Sequence, residues 1–211
     1  MKKELLKLAK LPYFRISHIE TFLPYLKKEY VRQHITRLVK RGEIIKLKNG
    51  FYTTKEYADK HISGLEYIYY LANVLRFPSY VSGAYILQSK GILTEITYPI
   101  TSITTKSTRK YSSKLGEFIY YSISEKLYIG YERLLYKNEP VYVATAAKAL
   151  FDYLYIKYFK MKMTADDISA RERLNLENFT ESDIAEFKKY CELSNNKILI
   201  SLASKFFKKY E

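Results

Sequence analysis

Hydrophobic positions between residues 27 and 53 change from a helical spacing to a strand-like one. At about 100° per residue, four of them fall on one face of a helix: Val31, Ile35, Leu38 and Val39. Gly42 follows the last apolar turn, where a helix C-cap is expected. Apolar and polar residues then alternate on both sides of Asn49-Gly50, which favours a tight hairpin turn with two left-handed residues. The pattern predicts an amphipathic helix followed at once by a short hairpin.

Cations and hydrogen-bonding side chains occupy the opposite face of this helix and the hairpin tip. Such faces are often only solvated surface, but the combination is typical of the recognition helix and wing of a winged helix-turn-helix. We expect base-edge contacts from Gln33, Thr36 and Arg37. Phosphate contacts are expected from six cations, with Asn49 at the wing tip beside them: Lys27, Lys28, Arg32, Lys40, Lys46 and Lys48.

Helix starts are marked by short polar signatures. Ser17 begins an S-x-x-E capping box, which predicts a short helix ending near Pro24. Residues 63–66 repeat the signature before an aromatic segment and predict a helix over 65–76. An apolar stripe over residues 2–10 indicates the first helix. Two further helices are expected after Thr164 and Thr180.

The remaining pattern predicts an α+β fold. Helices are expected over 80–92 and 144–155, and strands over 100–105, 116–121, 127–131 and 141–143. We interpret residues 1–60 as a winged helix-turn-helix DNA-binding domain. Residues 61–211 are expected to form a mixed α/β domain with a small, mostly antiparallel sheet and C-terminal helices.

Positive charge is concentrated near the N-terminus. The net charge is +14; residues 1–60 hold 15 Lys and Arg against 6 Asp and Glu, whereas residues 61–211 hold 21 against 16. An A·T-rich genome could raise lysine usage, but it would not place the excess in one third of the chain. Double-stranded DNA is therefore the expected partner.

Several other classes of protein are disfavoured. The single Cys191 excludes an internal disulfide and a cysteine zinc site, and fits a reducing cytoplasm. The uncharged run 77–89 is too short to span a bilayer, and lysines near residue 1 interrupt any signal-peptide core. The histidines at positions 18, 34 and 61 lack metal-ligand spacing. We expect a cytoplasmic protein with no membrane partner, metal or other cofactor.

An enzymatic function is also disfavoured. The chain has no glycine-rich phosphate loop, no paired carboxylates at catalytic spacing and no nucleophile beside a usable histidine. Asp166, Asp167 and Glu172 are explained by their position at a predicted helix start. We expect no catalytic residue, although an enzyme that acts on nucleic acid is kept as an alternative.

Eight residues of the second part follow a recognisable order: Tyr80, Ser82, Gly91, Thr105, Gly116, Gly130, Lys148 and Asp152. With the predicted N-terminal winged helix, residues 1–160 resemble the AbiEi-type antitoxin and transcriptional regulator family of bacterial abortive-infection modules. Ala84 and Ala147 stand where that family often has glutamate.

The resemblance implies an antitoxin that represses its own toxin–antitoxin operon and takes part in phage defence. It also implies an operator with inverted repeats and a cognate toxin resembling nucleotidyltransferases. Candidates for the antitoxin face are Lys106, Arg109, Lys110 and Lys148. The alternative is a stand-alone winged-helix regulator whose second domain senses a ligand or forms an oligomer.

Overall fold

The computed structural model describes residues 7–22, 24–25, 27–94, 99–160, 162, 164 and 174–207. These residues form a mixed α+β structure with a three-stranded sheet and a six-stranded sheet. The elements of the N-terminal part are β1 (Phe14–Arg15), α1 (Ile16–Phe22), α2 (Lys28–Lys40), β2 (Ile44–Lys48), β3 (Phe51–Thr54) and α3 (Lys55–His61).

The second part contains the larger sheet and its covering helices. Its elements are α4 (Leu65–Leu75), β4 (Tyr80–Val81), α5 (Ala84–Ser89), β5 (Ile100–Thr104), β6 (Arg109–Ser113), β7 (Gly116–Ser122), β8 (Tyr131–Tyr136), β9 (Glu139–Ala144), α6 (Ala146–Tyr155), α7 (Glu181–Leu193) and α8 (Lys197–Phe207). Short 3₁₀ turns span Glu125–Leu127 and Leu176–Asn178, and a π-helical turn, Ile156–Lys160, continues α6.

The two sheets lie next to each other through one edge strand of each sheet. The smaller sheet has the order β1-β3-β2, and the larger has the order β6-β7-β5-β4-β9-β8. Within the larger sheet, β5 pairs with β7 and β4 with β9 in parallel, whereas the other three pairs are antiparallel. The edge strands β2 and β6 contact each other.

The C-terminus of α2 has the predicted glycine cap. Gly42 has a left-handed φ of 75°, and its N–H donates to the carbonyl of Val39. The N–H of Glu43 donates to the carbonyl of Leu38, which completes a Schellman motif. The prediction of a glycine C-cap at this position is confirmed.

The β2–β3 hairpin differs from its prediction at the turn. Gly50 has a φ of 80°, but Asn49 has no left-handed backbone. Lys48 pairs with Phe51, so Asn49 and Gly50 form the expected two-residue turn, and the register shifts by one residue before it, between Lys46 and Lys48. A turn with two left-handed residues, Lys137 and Asn138, instead joins β8 to β9.

Two hydrophobic clusters meet at the hairpin. Ile44 belongs to an N-terminal cluster that includes Val31, whereas Ile45 and Leu47 belong to the large core around the six-stranded sheet. Successive strand residues point to opposite faces, so β2 is packed on both sides. Tyr57 of α3 also lies in the large core. The two clusters are divided within the hairpin, between Ile44 and Ile45. The domain boundary at residue 60 stays a prediction.

The two predicted capping boxes are wrong, whereas the helix start predicted at Thr180 is confirmed. Ser17 lies inside α1, where its carbonyl accepts from the hydroxyl of Thr21. Gly64, which has no side chain to cap α4, takes the N-cap position expected of Ser63. Thr180 caps α7, and its side chain and that of Asp183 make the reciprocal bonds of a capping box. The helix start predicted after residue 164 lies outside the described residues.

The predicted helix over 80–92 is wrong in its first third. Tyr80 and Val81 form β4, and Gly83, with a φ of 67°, separates this strand from α5. Val81 pairs with Ser102 on one side and Val143 on the other. These pairings connect residues far apart in sequence, which local helical periodicity cannot indicate.

Other predicted elements had mixed outcomes. The strands over 100–105 and 116–121 are confirmed as β5 and β7, and the helix over 65–76 is confirmed as α4. The strand over 127–131 is wrong, because Gly130 adopts a φ of 77° and β8 begins only at Tyr131. Most of the helix over 2–10 lies outside the described residues. Among those described, no helix combines the length and hydrophobicity needed to cross a membrane.

Candidate nucleic-acid interface

The outer face of α2 is a continuous exposed polar stripe. Its opposite face is fixed in the N-terminal core by Val31, Ile35 and Leu38, which are 2%, 3% and 3% exposed. Because these three residues set the rotation of the helix, the residues opposite them face solvent. The stripe consists of Arg32, Gln33, Thr36, Arg37 and Lys40, all of which are exposed.

Cations of the stripe have few acidic neighbours. The Arg32, Arg37 and Lys40 side chains pair with no carboxylate among the residues that the structure describes. The hydroxyl of Thr36 donates to the carbonyl of Arg32 at 2.9 Å and keeps its acceptor sites. Lys27 is exposed at the start of α2. The stripe is therefore a concentration of uncompensated positive charge.

The pKa of His34 is affected by the positive charge around the stripe. His34 lies at the flank of the stripe and is partly exposed. Burial lowers the pKa of its imidazole, and the nearby charges of Arg37 and Arg41 lower it further. The neutral form is therefore favoured near pH 7. Lys28, at the other end of α2, lies 4.0 Å from the carboxylate of Glu20.

Three candidates on the hairpin occupy different environments. Lys46 and Asn49 are exposed, as expected of residues that could reach a ligand. Lys48 is half-buried and donates a hydrogen bond to the carbonyl of Leu75 at the end of α4. Its ammonium also lies 4.0 Å from the centre of the Phe51 ring. Lys48 thus connects the hairpin to the second part of the chain, a role that the sequence pattern did not indicate.

Three of the four candidates for an antitoxin face are exposed. Lys106 donates to the carbonyl of Phe77 at 2.6 Å, and Lys110 lies 2.6 Å from the carboxylate of Glu117. This ion pair lowers the pKa of Glu117. Arg109 is exposed on the edge strand β6.

Lys148 cannot belong to such a face, because it is fully buried. Its ammonium donates to Oδ1 of Asp152 at 2.8 Å, while Tyr80 and Ser82 donate to Oδ2 at 3.1 and 2.7 Å. Burial raises the pKa of Asp152, and these donors oppose that rise. The apolar residues on all sides of α6 were the sequence signal for burial. The network fixes α6 against β4.

A groove of about 570 Å³ lies on the surface where the hairpin meets β6. It lies between the two edge strands β2 and β6, and both contribute cations to it. The polar and aromatic side chains that line it are Lys46, Lys48, Asn49, Phe51, Lys110, Tyr111 and Ser112. Sequence reasoning placed Lys110 on a separate surface, because only the fold brings β6 next to the hairpin.

No protein-family model matches the chain, and no curated protein is significantly similar to it. Within the described ranges, no group of three or more His, Cys, Asp or Glu side chains is arranged to hold a metal ion. The acidic residues considered at positions 166, 167 and 172 lie outside those ranges. The candidate site therefore rests on the geometry and charge of the surface around α2.

Proposed function

We propose that the N-terminal part is a winged helix-turn-helix that binds double-stranded DNA and represses the operon that encodes it. In this proposal α1 and α2 form the helix-turn-helix, and the β2–β3 hairpin is the wing. The observation that carries the proposal is the exposed stripe of α2, which places Arg32, Gln33 and Arg37 opposite the buried face of the same helix.

The dimensions and chemistry of α2 suit a major groove. An α-helix with its side chains is about 10–12 Å wide, and the major groove of B-DNA is about 12 Å wide. Arg37 can donate two hydrogen bonds to guanine, and Gln33 can bond bidentately to adenine. Lys40 and Lys46 provide charges for the flanking phosphates. Base reading and phosphate neutralisation are thus assigned to different residues of one surface.

Equilibrium binding to labelled duplex DNA tests this proposal. Arg37→Ala should weaken binding to the preferred sequence by about 1–3 kcal/mol, because a base contact is lost. Lys189→Ala, which changes an exposed lysine on α7, is the matched control and should bind as the wild type does. Equal affinities for wild type and Arg37→Ala would contradict the proposed role of the stripe.

We further propose that the protein is the antitoxin of a toxin–antitoxin pair and counteracts a nucleotidyltransferase-like toxin. The support is the resemblance of residues 1–160 to AbiEi-type antitoxins. Tyr80, Ser82, Lys148 and Asp152 carry part of that resemblance and pack together in one buried network. Their burial gives them a structural role, so the contact with a toxin or its substrate must lie elsewhere.

Growth of cells that express the reading frame directly downstream tests the antitoxin role. The full chain should be used, because Ile45, Leu47 and Tyr57 of the N-terminal part belong to the large core. Supplied from an independent promoter, both the wild type and Arg37→Ala should restore growth. A downstream product that is harmless, or growth that the wild type fails to restore, would instead favour the stand-alone regulator.

A further inference from the structure

Four cations converge where the hairpin meets the second part of the chain. The pKa of the Lys48 ammonium is lowered first by burial and then by the charges of Arg15, Arg76 and Lys106. Lys46 and Lys110 line the adjoining groove. These residues come from β1, β2, the end of α4 and the segments around β6, so only the folded chain brings them together.

Neutral groups, rather than acids, hold most of these cations in place. The Arg15 guanidinium lies 4.3 Å from the centre of the Phe51 ring. Arg76 donates to the carbonyl and hydroxyl of Ser107 at 2.5 and 3.0 Å, and Lys106 donates to a backbone carbonyl. Among the described residues, Lys110 is the member of this group that pairs with a carboxylate. The charge of the junction is therefore largely uncompensated.

The aromatic rings of the groove are already in contact with protein groups. Phe51 stacks on Tyr13 and is also contacted by the Arg15 and Lys48 cations. Tyr111 packs edge-on against Tyr120 and lies 5.2 Å from the Lys48 ammonium. Proteins that hold single strands offer free aromatic faces to successive bases. The rings here instead order cations, which favours a ligand bound through its phosphates.

We propose that this junction groove, between β2 and β6, binds the phosphate backbone of duplex DNA that flanks the segment contacted by α2. The inference rests on the proposed DNA-binding function and extends its surface into the second part of the chain. Lys46 and Lys110 contact phosphates from opposite walls. Lys48 is a positioning residue, which holds the wing to the end of α4 through the carbonyl of Leu75.

The dependence of duplex affinity on salt tests the inference. Each phosphate contact contributes about 0.9 to the slope of log K against log salt concentration. A random-sequence labelled duplex should give a slope that is shallower by about 0.9 for Lys110→Gln, because one contact is lost. Ser112→Lys adds a cation to the same groove and should steepen the slope by about the same amount. Lys189→Gln should leave the slope unchanged.

The outcomes separate this inference from the proposed function. If the wild type binds no duplex, both fail. If Arg37→Ala weakens binding while Lys110→Gln and Ser112→Lys both keep the wild-type slope, only the junction groove is contradicted. A labelled single strand of the same sequence completes the test. If Lys110→Gln weakens binding to that strand but leaves duplex binding unchanged, the groove holds single-stranded nucleic acid and the proposal is overturned.

Discussion

The ammonium of Lys148 lies 2.8 Å from Oδ1 of Asp152, one turn later on α6, and both side chains are fully buried. The other carboxylate oxygen accepts from Tyr80 and Ser82. The pair is therefore charge-balanced and hydrogen-bonded to the neighbouring strand. A buried ion pair of this kind adds little to stability by itself, but loss of one partner leaves an uncompensated charge.

Lys148→Met should lower the free energy of unfolding by about 3–5 kcal/mol, because Asp152 remains buried without its cation. Urea unfolding monitored by circular dichroism measures the change. Lys189→Met, on the exposed side of α7, should change the free energy by less than about 0.5 kcal/mol. A Lys148→Met protein as stable as this control would contradict the account of the network.

Two glycines with nearly equal backbone angles should respond differently to alanine. Gly42 and Gly130 have φ angles of 75° and 77°. An added Cβ at Gly42 meets no atom within 4 Å, whereas at Gly130 it would lie 2.6 Å from Cζ of Tyr190 and closer still to its hydroxyl. Left-handed backbone alone costs about 1–2 kcal/mol for alanine.

Gly42→Ala should therefore destabilise the protein by about 1–2 kcal/mol, and Gly130→Ala by at least about 3 kcal/mol because a clash is added. Thermal and urea unfolding of the two variants under identical conditions give the comparison. Equal losses of stability would mean that Tyr190 does not pack over Gly130.

Cys191 should react with thiol reagents only when the structure opens. The side chain is buried, and burial raises the pKa of its thiol to about 12. The thiolate is the reactive form, so little of it exists in the folded protein near pH 8. Labelling in native buffer should be slow and should accelerate across the urea unfolding transition. Rapid labelling of the native protein would contradict this burial.

Stability should fall in alkaline solution. Burial raises the pKa of Tyr80 and Tyr120 well above the ordinary value of 10.0. Because the unfolded chain releases these protons near pH 10 and the folded chain retains them, the stabilisation is complete below pH 10 and is lost as pH rises above it. The free energy of unfolding should decrease progressively as pH rises above 10. Measurements at several alkaline pH values, together with tyrosinate absorbance, test this expectation. Tyrosinate absorbance that corresponds to all 23 tyrosines, in a protein that is still folded, would contradict the burial of these rings.

Features that depend on local sequence could be predicted well. The apolar spacing of Val31, Ile35 and Leu38 indicated the buried face of α2, and the cap at Gly42 was also correct. The predicted helix start at Thr180 depends on the capping residue and on acids within the first turn. In each case the stabilising contacts lie within one or two helical turns, so the local pattern contains the necessary information.

Features that depend on distant contacts were missed. Tyr80 and Val81 have a helical pattern, but pairing with β5 and β9 makes them a strand. Lys148 was predicted on an antitoxin face, but it is buried in a network that includes the distant Tyr80 and Ser82. Lys110 is near the wing only because β6 contacts β2. The S-x-x-E signature at Ser17 was also misleading, since α1 begins one residue earlier.

The most direct test of whether α2 contacts DNA bases is selection of bound sequences from a pool of random duplexes. The selection is carried out with the wild type and with Arg37→Ala. The wild type should enrich a defined sequence. Arg37→Ala should lose its preference at one base pair, equivalent to about 1–3 kcal/mol, and retain the preferences at the other positions. Recovery of the same sequence with unchanged preference at every position would contradict the assignment of Arg37. No enrichment by the wild type would contradict sequence-specific DNA binding itself.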